Sequence, residues 1–277
     1  MMDTLKELHA LSNLYVKRDA KMPVLFVGHG SPMNAIEDND FTRRWASMAK
    51  EIPLPNAVLV ISAHWYASAT LVTAMEHPKT IHDFYGFPKE LFEVDYPAPG
   101  NPALARALSE DVMGASLIMD HDWGLDHGAW SVVKHMYPDA NIPVLQLSID
   151  YTKSPAWHYA LAQELSVLRE HGILIIGSGN MVHNLRMLSW QMIQGGGYDW
   201  AYEMNDTFKR LISEKKHNAL IHYDGLGSAA QLAIPTPEHY LPLLYSLAMQ
   251  EDREDLAFFN DKVIGGSLTM TSVKIGK

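Results

Sequence analysis

The chain has 277 residues, 47% of them hydrophobic, and a formal charge of −10. This composition supplies a sizeable core and excludes global disorder. The acidic balance argues against nucleic acid, which binds clustered Lys and Arg, and against an anionic membrane surface. The chain contains no cysteine, which excludes disulfides and thiolate zinc sites. A tight metal site would therefore use His, Asp or Glu.

The N-terminal region predicts a short amphipathic helix, because leucines recur at every third position within residues 3–17. The first residues lack the uninterrupted apolar run of a signal peptide. The uncharged stretch 57–75 is interrupted by Ser, His and Thr, so it indicates two strands and a turn rather than a membrane span. We expect a soluble, cytoplasmic protein.

Strands and helices alternate along the rest of the chain. Apolar runs predict strands at 23–28, 57–63, 70–75, 116–119, 142–148, 173–177 and 267–274. Helices are predicted at 40–50, 102–113, 129–136, 154–171, 199–216 and 237–249. The first, second and sixth strands are continuous apolar runs, typical of strands buried on both faces. The pattern predicts a single α/β domain over residues 1–277, with a central mixed, largely parallel sheet flanked by helices and residues 1–20 as an N-terminal extension.

Three histidines stand at or just beyond the ends of these buried strands. His29 ends the first apolar run, His64 ends the second, and His183 follows the sixth. Open α/β sheets carry ligand sites at the C-terminal ends of their strands, and imidazole is the commonest protein ligand of transition metals. A lone histidine there is more often a structural residue. His29 and His64 strengthen each other, because they follow strands that we expect to be neighbours and a metal needs converging ligands.

His239 is predicted to open a helix, after the sequence Thr236-Pro237-Glu238. Thr is a favourable N-cap, and Pro is favourable in the first turn. The positive end of the helix dipole would keep the imidazole neutral, as metal binding requires. Glu238 is an alternative ligand or simply a favourable first-turn carboxylate. His183 could coordinate the metal or act as a base, with a structural role at a helix start as the competing interpretation.

His127 is a further candidate, as a proton-transfer group. It lies in the sequence Asp126-His127-Gly128, just before a predicted helix. Asp126 need not orient this ring, because sequence neighbours often point apart. The histidines outside these five lack a comparable setting, and we expect them to be structural or exposed.

The segment 80–102 is unusual, with four prolines and five aromatic residues. Proline restricts the backbone and aromatic rings provide flat apolar walls, so a rigid loop of this kind suits a pocket for a planar ligand. The alternative is a surface loop whose aromatics pack on the core. The candidates for substrate contact are His82, Phe84, Tyr85 and Phe87.

Together these motifs closely resemble the class III extradiol ring-cleavage dioxygenases, specifically their DOPA-4,5-dioxygenase branch. The resemblance covers nearly the whole chain. The matching segments are 28–34 (GHGSPMN), 62–65 (SAHW), 81–88 (IHDFYGFP), 96–100 (YPAPG), 126–130 (DHGAW), 146–150 (QLSID), 177–185 (GSGNMVHNL) and 236–244 (TPEHYLPLL). The resemblance implies a single α/β domain with a metal-bearing pocket at one edge of the central sheet.

The resemblance also implies roles for the histidines. It places His29 and His64 on two histidine ligands of a non-haem Fe(II), and His239 at the third ligand, where the wider class has a carboxylate. His183 corresponds to a histidine beside the metal, as a fourth ligand or as the base that deprotonates a catechol. His127 corresponds to a catalytic histidine outside the ligand set. The implied cofactor is one divalent ion per chain: Fe(II) for turnover, although Zn²⁺ would also occupy an all-histidine site.

The implied reaction is extradiol cleavage of a catechol such as L-DOPA with O₂, giving a seco-DOPA-type semialdehyde. The expected partners are this small substrate and O₂, without nucleic acid or membrane, and the oligomeric state is left open. Two other functions compete: a zinc-dependent hydrolase that uses the same ligands to activate water, and a non-catalytic binding module like the Memo proteins. Metal-dependent O₂ consumption would distinguish the dioxygenase from the zinc hydrolase. Metal content would test the alternative of a non-catalytic binding module.

Overall fold

The core of the protein is an eight-stranded mixed sheet, seen in a computed structural model that describes residues 9–112 and 114–277. The strands are β1 (Val24–Gly28), β2 (Ala57–Ala67), β3 (Leu71–Thr73), β4 (Ile118–Asp120), β5 (Val144–Asp150), β6 (Ile173–Gly179), β7 (Leu256–Phe259), β8 (Val263–Ile264), β9 (Leu268–Thr269) and β10 (Ser272–Ile275). Their order in the sheet is β4-β3-β5-β2-β6-β1-β10-β7, and β8 pairs with β9 in a separate hairpin.

The centre of the sheet is parallel and its edges are mixed. β2 pairs in parallel with β5 and β6, and β6 pairs in parallel with β1. On one side, β10 and β7 add antiparallel strands. On the other side, β3 is antiparallel to β5 and parallel to β4. The predicted α/β fold with a largely parallel central sheet is therefore confirmed.

Helices cover both faces of this sheet. They are α1 (His9–Leu14), α2 (Asp40–Glu51), α3 (Lys89–Phe92), α4 (Pro102–Asp111), α5 (His127–Met136), α6 (Pro155–Leu165), α7 (Asp199–Ser213), α8 (His217–Ile221), α9 (Ser228–Ala233) and α10 (Leu241–Ala248). Alternate residues of β1 face opposite layers, as strand geometry requires. Val24 and Phe26 pack in a cluster with α6 and α10, whereas Leu25 and Val27 pack with α2 and α5.

Several element boundaries differ from the sequence-based predictions. The predicted helix 154–171 ends as α6 at Leu165 and tightens into a 3₁₀ helix over Ser166–His171. The predicted strand 267–274 is two strands, because β9 pairs within the small hairpin and β10 pairs within the main sheet. The short elements β7, α3, α8 and α9 were not predicted, since such lengths give little periodicity.

The N-terminal helix was predicted over residues 3–17, and its first part lies outside the described residues. Its described part, α1, ends at Leu14, and Leu11 is buried in the cluster that contains α6 and α10. Among the described helices, none has the length and apolar character that crossing a bilayer would take.

Helix α10 packs unusually close to β6, and the contact occurs at Gly177. A Cβ atom at this position would lie 2.3 Å from the Pro242 carbonyl oxygen and 2.8 Å from Ser246 Oγ. Ser246 Oγ also donates a hydrogen bond of 2.8 Å to the carbonyl of Leu25 in β1. Because Gly177 has no side chain, α10 packs directly on the adjacent strands β6 and β1.

We predict that Gly177→Ala destabilises the fold by about 1–3 kcal/mol, because the added methyl group overpacks a backbone contact. The matched control is Gly225→Ala, where a Cβ would meet nothing within 4 Å, and we expect a change within about 0.5 kcal/mol. Urea unfolding of both variants measures the difference. Equal midpoints for the two variants would contradict the close packing.

Candidate metal centre

Five histidine rings meet at one end of the parallel strands. The ring centroid of His29 lies 5.1 Å from that of His64, 5.5 Å from that of His127 and 5.4 Å from that of His239. The centroids of His64 and His127 are 3.9 Å apart. His183 stacks on His239 with a centroid distance of 3.5 Å and an interplanar angle of 7°. We call these five residues the histidine cluster.

The ligand atoms of the cluster form two groups, within each of which they lie within 4.8 Å of one another. The first group is His29, His64 and His127, and the second is His183, Glu238 and His239. The ring of His239 joins the groups, because it contacts the rings of both His29 and His64. The four predicted metal ligands are therefore divided between the two groups, and the predicted proton-transfer residue His127 lies in the first.

β1 and β2 bring His29 and His64 together across an intervening strand. The two strands were expected to be neighbours, but β6 lies between them. His64 also lies inside β2 rather than at its end. The pairing of β2 with β5 shifts register between Ile61 and Tyr66, and irregularities of this kind re-aim side chains. The His64 ring lies beside that of His29.

His239 does not open a helix, contrary to the prediction. α10 begins at Leu241, so His239 lies in the turn before it. Thr236 Oγ1 donates to Glu238 Oε1 at 2.7 Å instead of capping a helix. The proposed dipole effect on His239 therefore does not apply, and its neutrality has another cause, described below.

β6 fixes the position of His239 through its last residue. A Cβ atom on Gly179 would lie 2.1 Å from the His239 carbonyl oxygen, so only glycine admits this approach. The same carbonyl accepts a hydrogen bond of 2.9 Å from Asn180 N–H, while the carbonyl of Gly179 accepts one of 3.1 Å from His29 N–H. One strand end therefore holds two site histidines.

Hydrogen bonding defines which nitrogen of His29 carries the proton. Ser178 Oγ donates to the carbonyl of Gly128 at 2.5 Å, so its lone pair accepts from His29 Nδ1–H at 3.0 Å. The Nε2 atom of His29 consequently bears a free lone pair. It lies 3.2 Å from His64 Nε2.

Asp83 contacts two rings of the cluster and was not among the predicted site residues. Its Oδ1 accepts from His127 N–H at 2.9 Å, and its Oδ2 lies 3.0 Å from His127 Nδ1 and 3.2 Å from His64 Nδ1. The side chain is 17% exposed. The sequence signals for it are its position between His82 and Phe84 in the aromatic segment and its inclusion in the matching segment 81–88.

Burial keeps three rings of the cluster neutral. Desolvation, followed by repulsion from the neighbouring rings, lowers the pKa of both His29 and His239 well below the usual value of 6.5. Desolvation also lowers the pKa of His183 to about 4. These three rings are therefore in the unprotonated form that coordinates a metal.

His64 and His127 respond differently to the same carboxylate. Burial and the neighbouring His64 lower the pKa of His127 despite its hydrogen bond to Asp83. Burial also acts to lower the pKa of His64, but Asp83 and the charge of Asp126 outweigh it, so the net pKa is raised. Burial opposes ionisation of Asp83, yet the two rings hold the pKa of that carboxyl far below its usual range.

This donor set fits a divalent cation. Two free lone pairs facing each other at His29 and His64 would repel, so either a proton on His64 or a cation between the rings must separate them. Two nitrogens bound about 2.0–2.1 Å from a tetrahedral ion stand roughly 3.3 Å apart, close to the 3.2 Å between the Nε2 atoms. A bound cation would take over the role of that proton.

The predicted substrate-contact residues have different surroundings. The ring of Phe84 lies 5.6 Å from that of His127 and 5.5 Å from that of Phe87. His82 Nε2 donates to a main-chain carbonyl at 2.9 Å. Tyr85, at the tip of the loop, is 91% exposed. Phe84 is thus the member of this set that packs on the histidine cluster.

Asp126 supports the start of α5 rather than the ring of His127. Its carboxylate accepts hydrogen bonds from Ser62 Oγ at 2.6 Å, Gln146 Nε2 at 2.7 Å and Ala129 N–H at 3.2 Å. Neither Ser62 nor Gln146 was predicted to have a structural role. This buried network places a negative charge near His64 while the ring of His127 turns to Asp83.

Other histidines serve the fold, as expected. His135 Nε2 donates to the carbonyl of Asn34 at 2.7 Å. His158 is fully buried, accepts from Tyr245 O–H at 2.9 Å and donates to the carbonyl of Asp150 at 3.2 Å. These rings are held by hydrogen bonds away from the cluster.

Comparison with known proteins gives consistent matches over most of the chain. Residues 22–265 match the family model described as the catalytic LigB subunit of aromatic ring-opening dioxygenase. The chain is 45% identical over 266 residues to "4,5-DOPA dioxygenase extradiol" of Escherichia coli (strain K12), covering 94% of this chain and 97% of that protein. It is 33% identical over 255 residues to the Beta vulgaris protein of the same name, covering 90% and 94%.

A solved structure matches in fold as well as sequence. The crystal structure of an uncharacterized protein from Escherichia coli K12 aligns with a TM-score of 0.81 and 42% sequence identity. The alignment covers 92% of this chain and 100% of that one.

The buried His158 predicts a pH dependence of stability. Desolvation lowers its pKa to about 4 from the usual 6.5. Between these two pH values the imidazole is protonated in the unfolded chain but stays neutral in the folded protein. This contribution to stability is complete above about pH 6.5 and falls by about 3 kcal/mol as the pH drops towards 4.

We expect His158→Gln to flatten this part of the curve, measured as the free energy of unfolding in urea between pH 4 and 7. Exposed His121→Gln should keep the wild-type slope. The other buried histidines leave some slope in both variants. Identical slopes for His158→Gln and wild type would contradict the role of His158.

Proposed function

This chain belongs to the LigB family of aromatic ring-opening dioxygenases, and from that premise we propose that it cleaves a catechol such as L-DOPA with O₂ and one divalent metal. The bond broken would be the 4,5 bond, beside the diol, and the product a seco-DOPA-type semialdehyde. The observation that carries the proposal is the convergence of five histidines at one end of the parallel strands, four of them with pKa values lowered by burial.

The proposed metal ligands are His29, His64 and His239, with His183 as a fourth ligand or as a base. Neutral imidazole suits both iron and zinc. Bound Fe(II) would supply the redox chemistry that joins O₂ to the catechol, which Zn²⁺ lacks. We therefore propose Fe(II) for turnover and expect Zn²⁺ to bind without supporting it.

His183 and His127 are proposed to move protons. The lowered pKa of His183 leaves it unprotonated near pH 7, so it can accept the proton that a catechol hydroxyl loses. His127 directs Nδ1 to Asp83, which leaves Nε2 free to take up a proton at the reacting ring and return it later. His183 and His127 belong to different groups of ligand atoms, so they need not compete for one proton.

The aromatic loop is proposed to cover the substrate. Phe84 packs against His127 and against Phe87 and Phe92, at 5.5 Å and 5.0 Å between ring centroids. A flat apolar wall beside the proton-transfer residue suits an aromatic ring and excludes water from it. His82 and Tyr85 complete the proposed set, with Tyr85 reaching the ligand only if the loop closes.

The reaction predicts one O₂ consumed per catechol by the iron-loaded protein. An oxygen electrode and an absorbance scan measure uptake and the yellow semialdehyde, with L-DOPA, dopamine and a catecholic acid as substrates. Zinc-loaded protein is the control and should consume no O₂. Hydrolysis of an ester or amide without oxygen uptake on any catechol would contradict the proposal and favour a zinc hydrolase.

Metal binding predicts a second result. His29→Ala and His64→Ala should lose metal and activity together, because each removes a nitrogen from the facing pair. His222→Ala, at an exposed position, should retain both. Metal content by mass spectrometry after gel filtration is the measurement. Full metal occupancy in His29→Ala would exclude the proposed ligand set.

The role of His127 predicts a separation of binding from turnover. His127→Ala should keep the metal, because His127 is outside the proposed ligand set, but slow turnover by about 10²-fold if it transfers protons. Steady-state rates with L-DOPA and metal content of the same sample measure both effects. Normal turnover would show that His127 has no catalytic role.

A further inference from the structure

Asp83 contacts two rings of the histidine cluster for which different roles are proposed. It contacts His64, a proposed metal ligand, and His127, the proposed proton-transfer residue. We propose that Asp83 is the positioning residue that sets the tautomer and orientation of both rings, so that one carboxylate prepares the protein for metal binding and for proton transfer. The inference rests on the proposed function for the roles of the two rings, but its geometry does not.

Two N–H groups of His127 donate to this carboxylate, and Nδ1 of His64 lies beside it. Oδ1 accepts from the main-chain N–H of His127 at 2.9 Å. Oδ2 accepts from His127 Nδ1 at 3.0 Å and lies 3.2 Å from His64 Nδ1. An ionised carboxylate is an acceptor at both oxygens, so it stabilises a proton on Nδ1 of each ring. Each neutral ring is then left with a free lone pair on Nε2.

Both rings depend on the same oxygen atom. Their centroids are 3.9 Å apart with an interplanar angle of 51°, and Oδ2 is their shared contact. A shift of Asp83 would therefore change His64 and His127 together. His29 gains the same tautomer from a separate partner, Ser178, so it provides an internal reference that Asp83 does not contact.

The loop that carries Asp83 is anchored to the segment that carries His127. Ile81 N–H donates to the carbonyl of Leu125 at 2.7 Å, and the carbonyl of Ile81 accepts from Trp130 Nε1 at 2.8 Å. On the other side of Asp83, the ring of Phe84 packs on that of His127. These contacts hold the carboxylate in place from both directions, as a positioning role requires.

An amide cannot replace this carboxylate without conflict. In one orientation, Asn at position 83 would turn its NH₂ group towards the two Nδ1 atoms, and in the other towards His127 N–H. The first orientation moves the ring protons to Nε2, where they block metal binding. Asp83→Asn therefore keeps the size of the side chain and removes its negative charge together with its double acceptor character.

The first measurement is the affinity of the full-length, metal-free protein for Co²⁺, by competition with a chromogenic chelator. Loss of a hydrogen-bond partner of a ligating histidine costs about 10–100-fold in metal affinity. We expect this loss in Asp83→Asn and Asp83→Ala, and partial recovery in Asp83→Glu. The matched control Glu90→Gln, in the exposed first turn of α3, also removes one negative charge and should bind Co²⁺ like wild type.

The second measurement is the tautomer of each ring, read from ¹⁵N shifts of metal-free protein. We expect His127 to change from the Nδ1–H to the Nε2–H form in Asp83→Asn, while His29 keeps Nδ1–H. A purely structural role would instead lower the unfolding midpoint without a selective change of tautomer. Asp83→Glu, which retains the charge, provides the same readouts if Asp83→Asn fails to fold.

Neither measurement needs a catechol, so the two proposals can fail separately. If iron-loaded wild type consumes no O₂ on any catechol while Asp83→Asn loses Co²⁺ affinity and changes the His127 tautomer, the proposed function is wrong and the role of Asp83 stands. If folded Asp83→Asn binds Co²⁺ with wild-type affinity and keeps Nδ1–H on His127, the role of Asp83 is overturned, whatever the enzyme oxidises.

Discussion

The close approach of the turn before α10 to the end of β6 is the constraint on which the site depends. Gly179 has no Cβ, so the main chain of His239 can lie against it. The Gly179 carbonyl also accepts from His29 N–H. Because β6 runs between β1 and β2, the strand between the two histidine-bearing strands positions the third histidine. A bulkier residue would displace His239 from His29 and His64 at once.

Burial makes this arrangement chemically useful and electrostatically costly. Desolvation keeps His29, His183 and His239 unprotonated, which suits metal binding. The same burial would leave His29 and His64 with facing lone pairs, and without a cation the raised pKa of His64 favours a proton there. A proton on His64 and a bound cation would thus occupy the same gap between the two nitrogens.

The aromatic loop contacts the histidine cluster through a carboxylate as well as through an aromatic ring. Phe84 packs on His127, and its neighbour Asp83 holds that ring and His64. A loop that closes on a substrate would therefore carry with it the carboxylate that orients both histidines. Two consecutive residues would thus connect the proposed substrate cover with the proposed metal ligand and the proposed proton-transfer residue.

The sequence by itself determined the fold class and the buried central strands, and it marked His29, His64 and His183 as candidate site residues, because continuous apolar runs and the residues that follow them are local patterns. Only the tertiary structure decided that β6 separates β1 from β2, that α10 begins after His239, and that Asp83 and Ser178 contact the rings of the cluster. Asp83 meets His127 across 44 positions and Ser178 meets His29 across 149. Contacts between residues so distant in the chain leave no periodicity in either segment, since they arise only when the strands pair and the helices pack.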